Sequence, residues 1–182
     1  MGKIYITSDL HLCHDKEFLY EKRGFTNIWD MNIAILQNWN NIVNPEDDVY
    51  LLGDVMLNNN KIGLNILKNL KGKIHIICGN HDTAARIESY KNCWNVVEVC
   101  YGLPLKYKKW HFFLSHYPTL TANMDDGKAI QQHVINLCGH SHTQDRWADW
   151  EKGTIYHVEL DAHNNTPVLI DDIIEDLKNK ER

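Results

Sequence analysis

Five short polar blocks in this sequence have the composition of metal ligands. They are Asp9-Leu10-His11, Gly53-Asp54, Gly79-Asn80-His81-Asp82, Ser115-His116 and Gly139-His140-Ser141-His142. The chain holds 11 histidines in 182 residues, more than packing or a solvated surface calls for. Asp9, His11, Asp54, Asn80, His116, His140 and His142 offer carboxylates, one amide oxygen and imidazoles. A divalent ion with such donors takes about four to six ligands, so the set is too large for one ion. It fits two ions that share a carboxylate and a water. Mixed nitrogen and oxygen donors favour Mn, Fe, Co, Ni or Zn over the all-oxygen surroundings of Mg or Ca, and Mn is the ion expected in assays.

Positioning these donors falls to the elements before them. Each block follows a short apolar run bounded by polar residues or Gly: 3–8, 48–52, 73–78, 111–114 and 134–138. Such runs read as buried strands. In α/β sheets, ligands gather beyond the carboxyl ends of the strands, so five neighbouring strands would deliver the donors to one crevice. In an extended segment the i, i+2 spacing of Asp9 with His11, and of His140 with His142, puts both side chains on one side.

Between the strands, Asn27 is expected to cap a helix carrying Trp29, Ile33, Leu36, Asn40 and Val43 on one face, ended by Asn44-Pro45. A second helix is expected over 59–70, with Ile62, Ile66, Leu67 and Leu70 on one face. A third spans 171–180, acidic at its start and basic near its end, as the helix dipole favours. Residues 154–161 and 167–170 read as an antiparallel pair of strands. The whole is a mixed-sheet α/β protein, read as a single domain over 1–182.

Composition narrows the class. At 43% hydrophobic and 24% charged residues, the chain is ordinary for a globular protein. No apolar run approaches the roughly 20 residues of a membrane helix. A formal charge of −5 argues against duplex nucleic acid as the partner. The five cysteines are odd in number and form no CxxC pair. With no signal peptide before the first strand, a reducing cytoplasm is the expected compartment.

Taken in order, the five blocks resemble the calcineurin-like metallophosphoesterase superfamily, whose pattern is D-x-H, G-D, G-N-H-D/E, a lone His and G-H-x-H. The segment from Thr7 through Arg23-Gly24-Phe25 to Trp39 is similar to its small single-domain bacterial and phage phosphohydrolases. The resemblance implies a four-layer α-β-β-α sandwich of two mixed sheets flanked by helices. It implies that Asp9, His11 and His142 hold one metal, that Asn80, His116 and His140 hold the other, and that Asp54 bridges them. His81 with Asp82 would be the catalytic pair. The expected reaction is hydrolysis of a phosphomonoester or phosphodiester by in-line attack of a metal-bridging hydroxide. His81 would protonate the leaving oxygen and Asp82 would orient it. Alternatively, Asp82 caps a helix beginning Thr83-Ala84-Ala85.

Departures from the family pattern matter too. The second block reads Gly53-Asp54-Val55-Met56-Leu57-Asn58-Asn59, without the phosphate-binding Arg of protein serine/threonine phosphatases and dinucleoside tetraphosphatases. Both activities are therefore set aside. A small, nucleotide-like phosphorylated substrate is expected, with His14, Arg23 and Arg146 as candidate substrate-binding residues and Trp147 beside Arg146. The competing readings are a metal-dependent nuclease, for which the segment after His142 leaves no DNA-gripping domain, and a non-catalytic metal-bearing scaffold, against which the intact ligand set and His81 argue.

Overall fold

Alternating side chains feed two separate cores in this protein. The computed structural model describes residues 2–121, 127–149 and 152–180. Strands β1 (Ile4–Thr7), β2 (Asp48–Leu51), β3 (Lys73–Ile77) and β4 (Val96–Cys100) run parallel, and β9 (Val168–Leu169) pairs antiparallel with β1. The sheet order is β4-β3-β2-β1-β9. Tyr5, Val49, Leu51, Ile74 and Ile76 join one core; Ile6, Leu52 and Ile77 join the other. Burial on both faces is what a parallel sheet requires, and it explains the near-continuous apolar runs.

The second sheet has the order β5-β6-β7-β8. It comprises β5 (Leu103–Tyr107), β6 (Trp110–Leu114), β7 (Val134–Cys138) and β8 (Ile155–His157). β5 and β6 form an antiparallel hairpin, whereas β6, β7 and β8 are parallel. Phe112, Leu114, Ile135 and Leu137 meet Ile6, Leu52 and Ile77 in the second core, so the sheets pack on each other.

Helix α1 (Glu17–Tyr20) is a single turn. Helix α2 (Ile28–Ile42) starts at Asn27, whose side chain accepts the Asp30 amide at 3.0 Å. With α3 (Asn60–Asn69), it packs in the first core. Helix α4 (Ala84–Lys91) lies against β4, and α5 (Ile170–Lys180) buries Ile170, Ile173, Ile174 and Leu177 in the second core. The result is the expected pair of mixed sheets flanked by helices.

Two expectations are corrected. The strands of 154–161 and 167–170 do not pair with each other: β8 adds to β7, and β9 to β1. A tight turn at Leu160–Ala162 moves the chain between the sheets, and the Leu160 amide bonds the Ser8 carbonyl. In α2, the buried face is Ile28, Met31, Asn32, Ile35 and Trp39, while Trp29 and Ile33 are exposed.

Candidate metal centre

Five loops converge at the carboxyl ends of strands from both sheets. Those after β1, β2 and β3 bring Asp9, Asp54 and Asn80; those after β6 and β7 bring His116, His140 and His142. The expected crevice is therefore assembled from both sheets. The donor atoms face one another. His11 Nε2 lies 3.6 Å from Asp9 Oδ1 and 3.5 Å from Asp54 Oδ2, and His142 Nε2 lies 3.7 Å from Asp9 Oδ1. On the other side, His116 Nε2 lies 3.6 Å from Asp54 Oδ2 and 2.9 Å from Asn80 Oδ1. His140 Nδ1 lies 3.0 Å from the same Asn80 oxygen. Asp9, His11 and His142 form one group able to hold an ion, and Asp9, Asp54 and His116 form another.

The local backbone is not extended. Asp9, His11, Asp54, His140 and His142 all have positive φ, between 48° and 74°. Left-handed backbone, not strand alternation, turns the i, i+2 pairs inward. Non-Gly residues held there cost roughly 1–3 kcal/mol each, strain of the kind that gathers at functional sites. Two glycines permit the close approach. A Cβ at Gly79 would sit 2.3 Å from Asp54 Oδ1, and one at Gly139 would sit 2.2 Å from Asp9 Oδ2.

The donor set fits a bound cation. Asp9 Oδ1 and His11 Nε2 are buried and make no hydrogen bond. Buried polar atoms are otherwise almost always paired, and two facing orphans with lone pairs are what an ion between them would satisfy. His142 Nδ1 is likewise unpaired, whereas other atoms of the set are already committed. Asp9 Oδ2 accepts from Ser8 Oγ and the His140 amide, and His116 Nδ1 bonds the Leu52 carbonyl at 2.8 Å. That last contact directs His116 Nε2 toward Asp54. Burial lowers the pKa of His11 and His140, which favours the neutral, ligating form. Asp9 is held at about 2: burial opposes ionisation, but His11, His142 and His116 outweigh it.

His81 sits at the mouth, 40% exposed, with Nε2 3.9 Å from Asp54 Oδ2. Its amide donates to Asp54 Oδ1, and its carbonyl accepts from Arg86. Asp82 is buried and turned elsewhere. Its carboxylate accepts from the amides of Asp54, Val55 and Gly79 and from the Tyr90 hydroxyl, which staples two ligand loops together. It neither orients the His81 ring nor caps α4, where Thr83 is the cap residue.

His14 does join the site. Its ring stacks on His11 at 5.1 Å, and its Nδ1 lies 3.1 Å from His11 Nδ1. Burial first, then the neighbouring His11 and His81, lower its pKa to about 4. Arg23 is corrected from substrate contact to support. It is buried, pairs with Asp161 at 2.7 Å and donates to the carbonyls of Asp9 and Leu10. Arg146 is also placed elsewhere. It pairs with Asp176 at 2.7 Å in a groove lined by Tyr5, His163 and Asp172, while Trp147 packs edge-on to Tyr156.

Sequence reasoning missed Asp161. Its carboxylate lies 3.3 Å from His142 Nδ1 as well as bonding Arg23. Burial opposes its ionisation, yet His142 and Arg23 hold it well below the usual carboxylate range. The same carboxylate raises the pKa of His142 against burial. A carboxylate just beyond a strand was the available signal, and it matches that of the five ligand blocks. Nearby, Glu159 accepts from the Thr143 amide and from His157.

Residues 3–158 match the family model described as the calcineurin-like phosphoesterase superfamily domain. The chain belongs to that superfamily. It is a phosphoric ester hydrolase whose Asp and His clusters could hold metal. Among relatives of this phosphoesterase, an uncharacterized protein of Methanocaldococcus jannaschii is 32% identical over 179 residues, covering 96% of this chain and 91% of that one. The Gene 66 protein of Mycobacterium phage D29 is 28% identical, covering 97% and 100%. A solved protein of unknown function from Aquifex aeolicus shares the fold, with a TM-score of 0.73, 23% identity and 96% and 99% coverage. No helix among the described residues is long and apolar enough to cross a membrane.

Proposed function

We propose that this phosphoesterase hydrolyses phosphate esters with two divalent ions, the substrate being small or nucleotide-like. One observation carries the reading: Asp54 Oδ2 stands 3.5 Å from His11 Nε2 and 3.6 Å from His116 Nε2, between two groups of donors. Asp9, His11 and His142 would hold the first ion; Asn80, His116 and His140 the second; Asp54 both. Bound ions of this kind polarise the phosphoryl group and make a water nucleophilic at neutral pH. Two divalent ions, two carboxylates and a hydroxide leave about one net positive charge, enough to attract a phosphate anion without a dedicated Arg. Asp82 fixes the loops bearing Asp54 and Asn80, and His142 is held by Asp161.

His81 is assigned to proton donation. It is exposed at the mouth, its main chain is anchored at both the amide and the carbonyl, and its ring lies edge-on to His11 at 5.5 Å. General acid catalysis contributes about 10²–10⁴-fold and matters most with a poor leaving group. His81→Ala is expected to keep its metals and lose turnover on alkyl esters far more than on a nitrophenyl ester. Equal slowing of both substrates would make His81 a positioning residue. The reading as a whole is tested by a Mn-supplemented screen of phosphomonoesters, phosphodiesters, cyclic nucleotides and single-stranded DNA, with metal content measured alongside. Two equivalents of metal and turnover of at least one class are expected. One equivalent, unchanged by added Mn, would overturn the two-ion centre.

A further inference from the structure

Two exposed aromatic rings flank the metal pocket on opposite sides, and neither belongs to a hydrophobic core. The pocket is about 200 Å³ and is lined by both sets of ligand loops together with His14, His81 and Phe18. Phe18 stands on α1, where Leu19 and Tyr20 are buried and anchor the turn, while Phe18 itself is 71% exposed. Its ring meets His14 edge-on at 6.3 Å, so it continues the wall formed by His14 and His11. On the other side Tyr117 is 50% exposed and meets His140 edge-on at 4.7 Å and His116 at 5.1 Å. Trp29, Trp94 and Tyr101 are exposed as well, so it is their position beside the pocket, not exposure alone, that singles out Phe18 and Tyr117.

The charge of the pocket says more. Among the described residues lining it, none is Lys or Arg. Of the basic side chains beside it, Lys22 is turned to the His142 carbonyl and Arg86 to that of His81, while Lys16 lies next to His14 and Phe18 outside the pocket lining. The pocket wall thus adds no basic side chain to the one net positive charge the ions would leave, which matches a singly charged diester more closely than a dianionic monoester. A diester carries one negative charge per phosphorus and projects a substituent on each side, toward each ring.

We infer that the pocket takes phosphodiesters with planar, nucleobase-bearing substituents, and that Phe18 and Tyr117 determine this preference by stacking on those bases. The inference rests on the phosphoesterase reading above. Base stacking on an aromatic side chain strengthens binding roughly 5- to 150-fold per base and tolerates any base. Hydrolysis adds water across one P–O bond: the incoming oxygen bonds to phosphorus, and the leaving oxygen departs with the bonding pair. The products are a phosphomonoester and an alcohol.

Three nitrophenyl esters test this with the Mn-loaded full chain: thymidine 5′-(4-nitrophenyl) phosphate, methyl 4-nitrophenyl phosphate and 4-nitrophenyl phosphate. The leaving group is shared, so its own stacking cancels in ratios between the diesters. For the wild type, kcat/KM on the thymidine diester should exceed that on the methyl diester by tenfold or more. In Phe18→Ala/Tyr117→Ala the ratio should fall toward one, and in Phe18→Tyr/Tyr117→Phe it should be kept. A second readout needs no turnover: in saturation-transfer NMR with thymidylyl-thymidine, the thymine protons should receive saturation from the wild type and not from the alanine variant. A wild-type ratio near one, or a ratio unchanged by the alanine variant, overturns the inference. Turnover of the monoester alone overturns it while leaving the phosphoesterase reading intact. If no ester is turned over, the phosphoesterase reading fails first and takes the inference with it.

Discussion

His142 has two nitrogens with different duties. Nε2 faces Asp9 Oδ1 at 3.7 Å, and Nδ1 faces the Asp161 carboxylate at 3.3 Å. Nδ1 and Asp161 are not aligned as a hydrogen bond, but a carboxylate this close favours a proton on Nδ1 electrostatically, which leaves the Nε2 lone pair free for a metal. Arg23 completes the arrangement, since it holds Asp161 while donating to the carbonyls of Asp9 and Leu10. Asp161 thus ties the H-x-H loop to the D-x-H loop. Loss of such a supporting group typically costs 10–100-fold in metal affinity. Asp161→Ala should weaken uptake of the first Mn equivalent by about that factor and leave the second unchanged, as read by calorimetric titration of the metal-free protein. It should also lower stability by about 3–5 kcal/mol, because the Arg23 charge is left buried and unpaired. Asp161→Asn, which retains an acceptor for His142, should lie between. Unchanged uptake of the first equivalent in both variants would make Asp161 a partner for Arg23 alone.

At the scale of elements, buried carboxylates secure the turns between strands as Asp82 secures the ligand loops. Asp47 is the example away from the metal centre. Its two oxygens accept the amides of Lys3 at 2.7 Å and Asn44 at 2.8 Å, joining the start of the chain to the turn between α2 and β2. Burial opposes its ionisation, but those donors hold its carboxyl below the unfolded value of 3.8. A folded pKa below the unfolded one gives stability that is present above that value and lost as pH falls through the folded one. Asp47→Asn retains one acceptor oxygen and should cost about 1–2 kcal/mol at pH 7. Urea unfolding from pH 7 to pH 3 should show the two proteins converging in acid. A constant gap would mean that the charge of Asp47 plays no part.

Elements differed in how far the sequence disclosed them. The strands before the ligands were legible because parallel strands buried on both faces read as unbroken apolar runs. β4 and β5 lie at the sheet edges, are half-exposed and give no such run. The cap of α2 was legible at Asn27, but its buried face was not. Ile28, Trp29, Met31, Ile33, Ile35 and Leu36 are apolar over much of the circumference, so packing against β1 and α3 chose the face. That these donor residues gather in one place was legible from residue type at strand ends. The roles of Arg23, Asp82 and Asp161 were not, because they depend on which loops meet across the sheets.

For the molecule as a whole, the metal centre is a junction between the two sheets. Asp9, Asp54 and Asn80 come from the first sheet; His116, His140 and His142 come from the second. Ions bound by these donors would join the sheets here, where the existing links include the His140 amide on Asp9 and His116 on the Leu52 carbonyl. Each ion at a free concentration of 100 times its Kd stabilises the folded state by about 2.7 kcal/mol. In a chain of this size that raises Tm by roughly 5–10 °C per ion. Calorimetric melting in Mn and in chelator should therefore differ by about twice that amount. His11→Ala removes a donor from the first group and should abolish about half of the difference. Asp54→Asn weakens the charge at the oxygen standing between both groups and should remove more, with metal content falling below that of His11→Ala. If Asp54→Asn keeps two equivalents of Mn and the full shift in Tm, Asp54 bridges nothing, and Asp9, which belongs to both donor groups, becomes the shared ligand.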